Sequence, residues 1–114
     1  LIAATLAPFV GGYQMGYMSP VDFIRNPLLW MRLVSREKAH FTLAPDFAYR
    51  LCALRWRGVS STIPVELSGL LVLQSGGEPV RASTISAFEE AFASVGLRQD
   101  GCFVPTYGLA EHVV

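Results

Sequence analysis

Residues 67–96, LSGLLVLQSGGEPVRASTISAFEEAFASVG, change their hydrophobic period part-way, and that change restricts the fold more than any other feature. Leu70 to Leu73 form a continuous apolar run, the pattern of a strand covered on both faces. Gly76 and Gly77 end it. Ile85, Phe88, Phe92 and Val95 then follow helical spacing, with Glu89 and Glu90 pointing outward and Gly96 stopping the helix. CFVP, residues 102–105, reads as another short strand. Strand, glycine turn, helix and strand in that order predict parallel neighbours joined by a crossover, hence an α/β fold in which helices pack on a layered sheet.

The rest of the chain is consistent with that class. LIAATLAPFVGG reads as a short buried helix ended by Pro8, Gly11 and Gly12, and YQMGYM as a short strand weakened by Gly16. Ser19 and Pro20 predict an N-cap and first helical position, and Asn26 with Pro27 predict the same device again. The second of these helices is expected to turn Leu29, Trp30, Leu33 and Val34 to one side, with Arg36 and Lys38 at its favourable end. HFTLAP predicts a strand. DFAYRLCALRW predicts a helix capped by Asp46, with Phe47, Leu51 and Leu54 on one face, and GVSSTIPVEL a loop.

Composition narrows the function classes. Of 114 residues, 52% are hydrophobic and 16% charged, too apolar for a disordered segment and suited to a place inside something larger. The formal net charge is +0, and apolar residues interrupt Arg50, Arg55 and Arg57, which read as a solvated helix end. No nucleic-acid partner is expected. Cys52 and Cys102 have no CxxC spacing and too few companions for zinc, so both read as reduced, buried small hydrophobes. No stretch reaches the roughly 20 apolar residues of a membrane span. With no basic leader ahead of the first apolar residues, a cytoplasmic location is expected.

In an open α/β sheet, ligands bind beyond the carboxyl ends of the strands. Two loops fall there: SGGEP, residues 75–79, and TYGLAE, residues 106–111. Gly76 and Gly77 leave backbone bare for a flat ring, and Tyr107 offers an aromatic face. Gly108 allows a sharp turn, and Glu111 is a hard oxygen ligand suited to Mg²⁺ on a triphosphate. Taken alone, such loops are more often ordinary turns. No Lys-Ser phosphate loop, GxGxxG or GxSxG elbow is present. His40, in an apolar strand, reads as structural, and His112 is a weak candidate for phosphate or metal.

At these same residues the chain resembles the adenylate-forming superfamily, and more narrowly its fatty acyl-AMP ligases. The likeness runs in order through LIAATLAPFVGG, YMSPVDFIRNPLLWMRLVSREKAHFTLAPDFAYRLC, LVLQSGGEPVRASTISAFEEAF and FVPTYGLAEHVV. The second segment is the most specific; TYGLAE is shared more widely. By this resemblance Ser75, Gly76, Gly77, Glu78 and Pro79 line the adenine ring, Tyr107 stacks on it, and Gly108 and Leu109 pass the α-phosphate. Glu111 is the implied catalytic carboxylate and magnesium ligand. The family has a small residue where His112 stands, and LIGG where LIAA stands.

The resemblance implies ATP and Mg²⁺ as cofactors and a fatty acid as substrate. It also implies an acyl carrier protein or polyketide synthase as acceptor and the remainder of the adenylation enzyme as a further partner. Phe47, Ala48, Tyr49, Met15 and Met18 are candidates for an acyl channel, with ordinary core as the competing reading. Residues 1–114 are expected to be a central fragment of the large AMP-binding domain. The phosphate loop is expected upstream and the small C-terminal domain downstream, and the fragment alone is expected to be inactive and prone to self-association. An acyl-CoA or amino-acid activating ligase, and a non-catalytic ligase remnant, are the alternatives.

Overall fold

The computed structural model describes residues 9–59, 63–99 and 101–108. A short helix α1 (Pro20–Arg25) and helix α2 (Leu28–Arg36) lead into strand β1 (Phe41–Ala44) and helix α3 (Asp46–Arg57). Strand β2 (Val72–Ser75), helix α4 (Ala82–Phe92), a 3₁₀ turn (Ala93–Val95) and strand β3 (Phe103–Pro105) complete the order. The sheet runs β1-β2-β3 with both pairs parallel, and α3 and α4 are the crossovers. The expected α/β layering and parallel pairing are present.

The register fixes which residues share a face. Thr42 pairs with Leu73 and Leu73 with Phe103, while Leu43 pairs with Gln74 and Gln74 with Val104. Thr42, Leu73 and Ser75 are buried on the face that α3 and α4 cover. Phe41, Leu43 and Val104 stay exposed on the other. Among the described residues the sheet is therefore covered on one face, less than the apolar run at 70–73 predicts. Leu70 is buried in the approach to β2 and Leu71 is exposed, so the strand starts at Val72.

The core is largely aromatic. Trp56 stacks on Phe92 at 4.9 Å, Phe92 meets Phe88 at 4.6 Å, and Tyr49 meets Phe88 and Phe103 edge-on at 5.2 and 4.9 Å. Trp30 continues the series at 5.0 Å from Tyr49, and its indole N–H donates to the buried Thr42 hydroxyl at 2.9 Å. Such pairs add about 0.5–1.5 kcal/mol each beyond the area they bury. Gly96 ends the α4 segment with φ +91°, and an added Cβ would meet Ser68 at 3.1 Å, so the expected glycine stop has both a conformational and a steric cause.

Several local expectations are corrected. Ser19 does cap α1, accepting from Val21 N at 3.2 Å. Asn26 instead closes α1, and α2 starts at Leu28 without a side-chain cap, because the two helices follow too closely for a second capped entry. The buried face of α2 is Leu28, Trp30, Met31 and Val34, leaving Leu29 exposed and Leu33 half-buried. In α3 it is Ala48, Tyr49, Cys52, Ala53 and Trp56, whereas Phe47 and Leu54 are exposed and Leu51 is half-buried. Tyr49 and Trp56 on that face meet Phe88 and Phe92 of α4, so the helix turns its Tyr, Trp and small residues inward and its Phe and Leu outward. Residues 13–18 form no strand, pairing with none of the described residues, and Tyr13, Met15 and Tyr17 are exposed. Of the expected opening helix, residues 1–8 lie outside the described residues, and Phe9 and Val10 are exposed rather than buried.

Candidate functional site

Ala44, Ser75 and Pro105 are register partners across the sheet, so the three strands end level with one another. The two predicted loops leave from this common edge and touch. Thr106 N donates to Ser75 O at 2.8 Å, and the Thr106 hydroxyl donates to the same oxygen at 3.2 Å. Gly76 N reaches Ala44 O at 3.4 Å on the other side. A Cβ on Gly76 would strike the Thr106 hydroxyl and lie 3.1 Å from its carbonyl oxygen. Gly76 is thus glycine because Thr106 lies against it. Gly77 has the property expected of both: φ is +84° and none of the described residues lies within 4 Å of where a Cβ would be. Its backbone is the bare one.

The other site residues divide clearly. Ser75 is buried, with its carbonyl bonded to Thr106 and its hydroxyl oxygen without a partner. Glu78 and Pro79 are exposed, and one Glu78 carboxylate oxygen accepts from Phe47 N at 2.6 Å. Tyr107 and Gly108 are exposed at the end of β3, with the tyrosine 82% accessible. The edge therefore brings together Ser75, Gly76 and Gly77 with the chain leading to Tyr107. Leu109, Glu111 and His112 lie outside the described residues. Among the described residues, no three His, Cys, Asp or Glu side chains converge on a metal position. The magnesium expectation rests on Glu111.

Asp46 does not cap α3 as expected: Pro45 holds that position and Asp46 is the first helical residue. Buried at the first turn of α3, it accepts from Arg81 N and from the Thr84 hydroxyl, both at 2.9 Å, and so caps α4. Thr84 was not foreseen at all. Its one signal was a hydroxyl on the otherwise apolar inner side of a helix, where a buried polar group needs a partner.

The acyl-side candidates do not form a single wall. Ala48 and Tyr49 are core, and the Tyr49 hydroxyl donates to Gln74 O at 2.7 Å. Burial, and then the nearby Cys52, hold the Tyr49 phenol well above the ordinary tyrosine range. Burial also pushes the Cys52 thiol up to about 12. Phe47 is half-exposed and packs edge-on against Phe23 at 6.3 Å. Met15 is exposed. Met18 lines an open groove with Tyr17, Leu29 and Arg32 that shares no residue with the loops at the strand ends. His40 is exposed just before β1 rather than within a strand, and its carbonyl accepts from Leu71 and Val72 N–H. Cys52 and Cys102 are buried, and the three arginines are exposed.

Comparison with known proteins adds independent observations. The model of the AMP-binding enzyme family matches residues 1–114. A long-chain-fatty-acid–AMP ligase of Mycobacterium tuberculosis is 38% identical over 100% of this chain and 19% of its own length. A medium-chain-fatty-acid–[acyl-carrier-protein] ligase of Teredinibacter turnerae is 33% identical over 97% of this chain and 17% of its own. The crystal structure of a fatty acyl-adenylate ligase from L. pneumophila, in complex with acyl adenylate and pyrophosphate, superposes with a TM-score of 0.88 at 40% identity. That match covers 97% of this chain and 19% of the other. The chain thus spans about a fifth of the length of these relatives. No helix among the described residues is long and apolar enough to cross a membrane.

Proposed function

The chain belongs to the AMP-binding enzyme family, and on that premise we propose that the intact protein activates a long-chain fatty acid with ATP. The carboxylate attacks the α-phosphorus, pyrophosphate leaves, and acyl-AMP is formed. A carrier-protein thiol then takes the acyl group and AMP departs. Residues 1–114 contribute part of the large domain, the protein works in the cytoplasm, and the rest of the enzyme supplies the remaining walls of the site.

The observation that carries this reading is the Gly76–Thr106 contact, which joins the two loops at the carboxyl edge of a parallel sheet. Gly77, with its bare backbone, and Tyr107, with its exposed ring, are the next residues along the two joined loops, and this supports the reading of one rim. An adenine ring fits such a rim, with peptide groups along one side and an aromatic face for stacking. In this reading Ser75, Glu78 and Pro79 hold the loop's shape, and Gly108 and Leu109 pass the α-phosphate. Glu111 would hold Mg²⁺, which would neutralise triphosphate charge. Catalysis consists mainly of alignment and charge stabilisation, so no protein nucleophile is needed.

Pyrophosphate exchange on the full-length protein tests the activity. Exchange should depend on long fatty acids and rise with chain length toward an optimum. Exchange with amino acids and none with fatty acids would overturn the assignment.

A further inference from the structure

Helices α3 and α4 both begin near the carboxyl edge of the sheet, and neither has a side-chain cap from the residue preceding it. Pro45 precedes α3 and Arg81 precedes α4. The first backbone N–H groups of a helix have no partners within it. Here each helix receives an acceptor from the segment that starts the other. Glu78, in the loop leading to α4, accepts from Phe47 N at 2.6 Å. Asp46, the first residue of α3, accepts from Arg81 N with one oxygen and from the Thr84 hydroxyl with the other. Asp46 is only 3% exposed, so water does not compete for these bonds.

We propose that Asp46 is a positioning residue for the nucleotide: with Glu78 it clasps residues 76–81 to α3 and fixes the loop on which the base rests. The inference depends on the reading of residues 75–79 as the nucleotide loop. The segment is held against Thr106 at Gly76, against α3 at Glu78, and by Asp46 at Arg81. Gly77 lies between these ties with open space around it. A loop already ordered before binding does not lose conformational freedom when the ligand arrives. Loss of the clasp therefore weakens nucleotide binding, while α3 keeps its buried face in the core.

Asp46→Ala removes both acceptors and leaves Arg81 N–H and the Thr84 hydroxyl without partners. Asp46→Asn keeps an oxygen for Arg81 N–H, and its amide can donate to the Thr84 hydroxyl, which has lone pairs to accept it. The two variants separate loss of the clasp from mere change of charge. Direct ATP binding to the full-length protein, by calorimetry, is the main readout. Hydrogen exchange of the peptides spanning 76–84 is the second.

Asp46→Ala should raise the Kd for ATP about tenfold or more, the scale of a lost hydrogen bond to a charged group, and Asp46→Asn should recover most of it. Exchange at 76–84 should quicken in the alanine variant and return to slow in the asparagine variant. Should Asp46→Ala not fold, Glu78→Ala removes the other half of the clasp and should weaken ATP binding with faster exchange at 76–81. Unchanged ATP affinity, or unchanged exchange at 76–84, would overturn the proposal. A wild-type protein that binds no ATP would overturn it together with the nucleotide reading. One that binds ATP but activates no fatty acid would remove the proposed activity, and these binding arms would still decide the role of Asp46.

Discussion

Tyr107 stands one residue beyond Thr106, with its ring almost wholly in solvent. Nothing in the core needs that ring, so removing it should leave the fold intact. Stacking of a base on an aromatic ring contributes about 1–3 kcal/mol, so Tyr107→Ala in the full-length protein should raise the Kd for ATP roughly tenfold. The apparent affinity for fatty acid should change far less. An ATP affinity unaffected by the change would make Tyr107 a packing residue for parts of the enzyme outside this chain. At this scale the sequence was informative about side chains that carry a distinct shape or charge. Two glycines after a strand marked the loop, but only the structure separates Gly76, held close by Thr106, from Gly77, which is bare. Asp46 shows why such details escape a linear reading. Its chemistry as an acceptor was legible, but its partners are 35 and 38 residues away and depend on how two helix starts meet.

Among the elements, α3 joins the core to the site. Its inner face carries Tyr49 and Cys52, both without exposed surface, while its first turn carries Asp46 and Phe47 in the clasp. Burial raises the proton affinity of both inner groups, with the Cys52 thiol at about 12 and the Tyr49 phenol higher still. The sign of the pH dependence follows. Above the ordinary thiol value of about 8.5 the unfolded chain releases a proton that the folded chain retains, so the stability from this group is complete below that pH and falls as pH rises toward 12. Tyr49 adds a further loss from about pH 10 upward by the same argument. The urea midpoint of the full-length protein should therefore fall between about pH 8.5 and 11, and Cys52→Ala should flatten the first part of that fall. An identical pH slope in the variant would show that Cys52 is not linked to folding. The elements themselves were legible wherever the periodic pattern was long, as in α4, or had a distinct stop, as at Gly96. They were not legible at residues 13–18, where an alternating apolar pattern pairs with no strand among the described residues. The burying face of α3 depends on its partner helix, since Tyr49 and Trp56 turn inward to meet Phe88 and Phe92.

For the molecule as a whole, the decisive geometry is a parallel sheet whose strands end level, with loops from β2 and β3 in contact at that edge. One face of the sheet is packed under α3 and α4, and the other presents Phe41, Leu43 and Val104 to solvent. The relatives are about five times as long as this chain, and in the L. pneumophila ligase the matched region is 19% of the protein. An exposed apolar sheet face is the kind of surface on which a further layer packs. The rim formed by residues 75–79 and 106–108 is the proposed seat of the nucleotide. Photolabelling of the full-length protein with 2-azido-ATP, followed by peptide mapping, tests it directly. The label should fall on peptides containing residues 75–79 and Tyr107, and a non-hydrolysable fatty acyl-adenylate analogue should abolish it. Specific, competed labelling confined to other peptides would contradict the account.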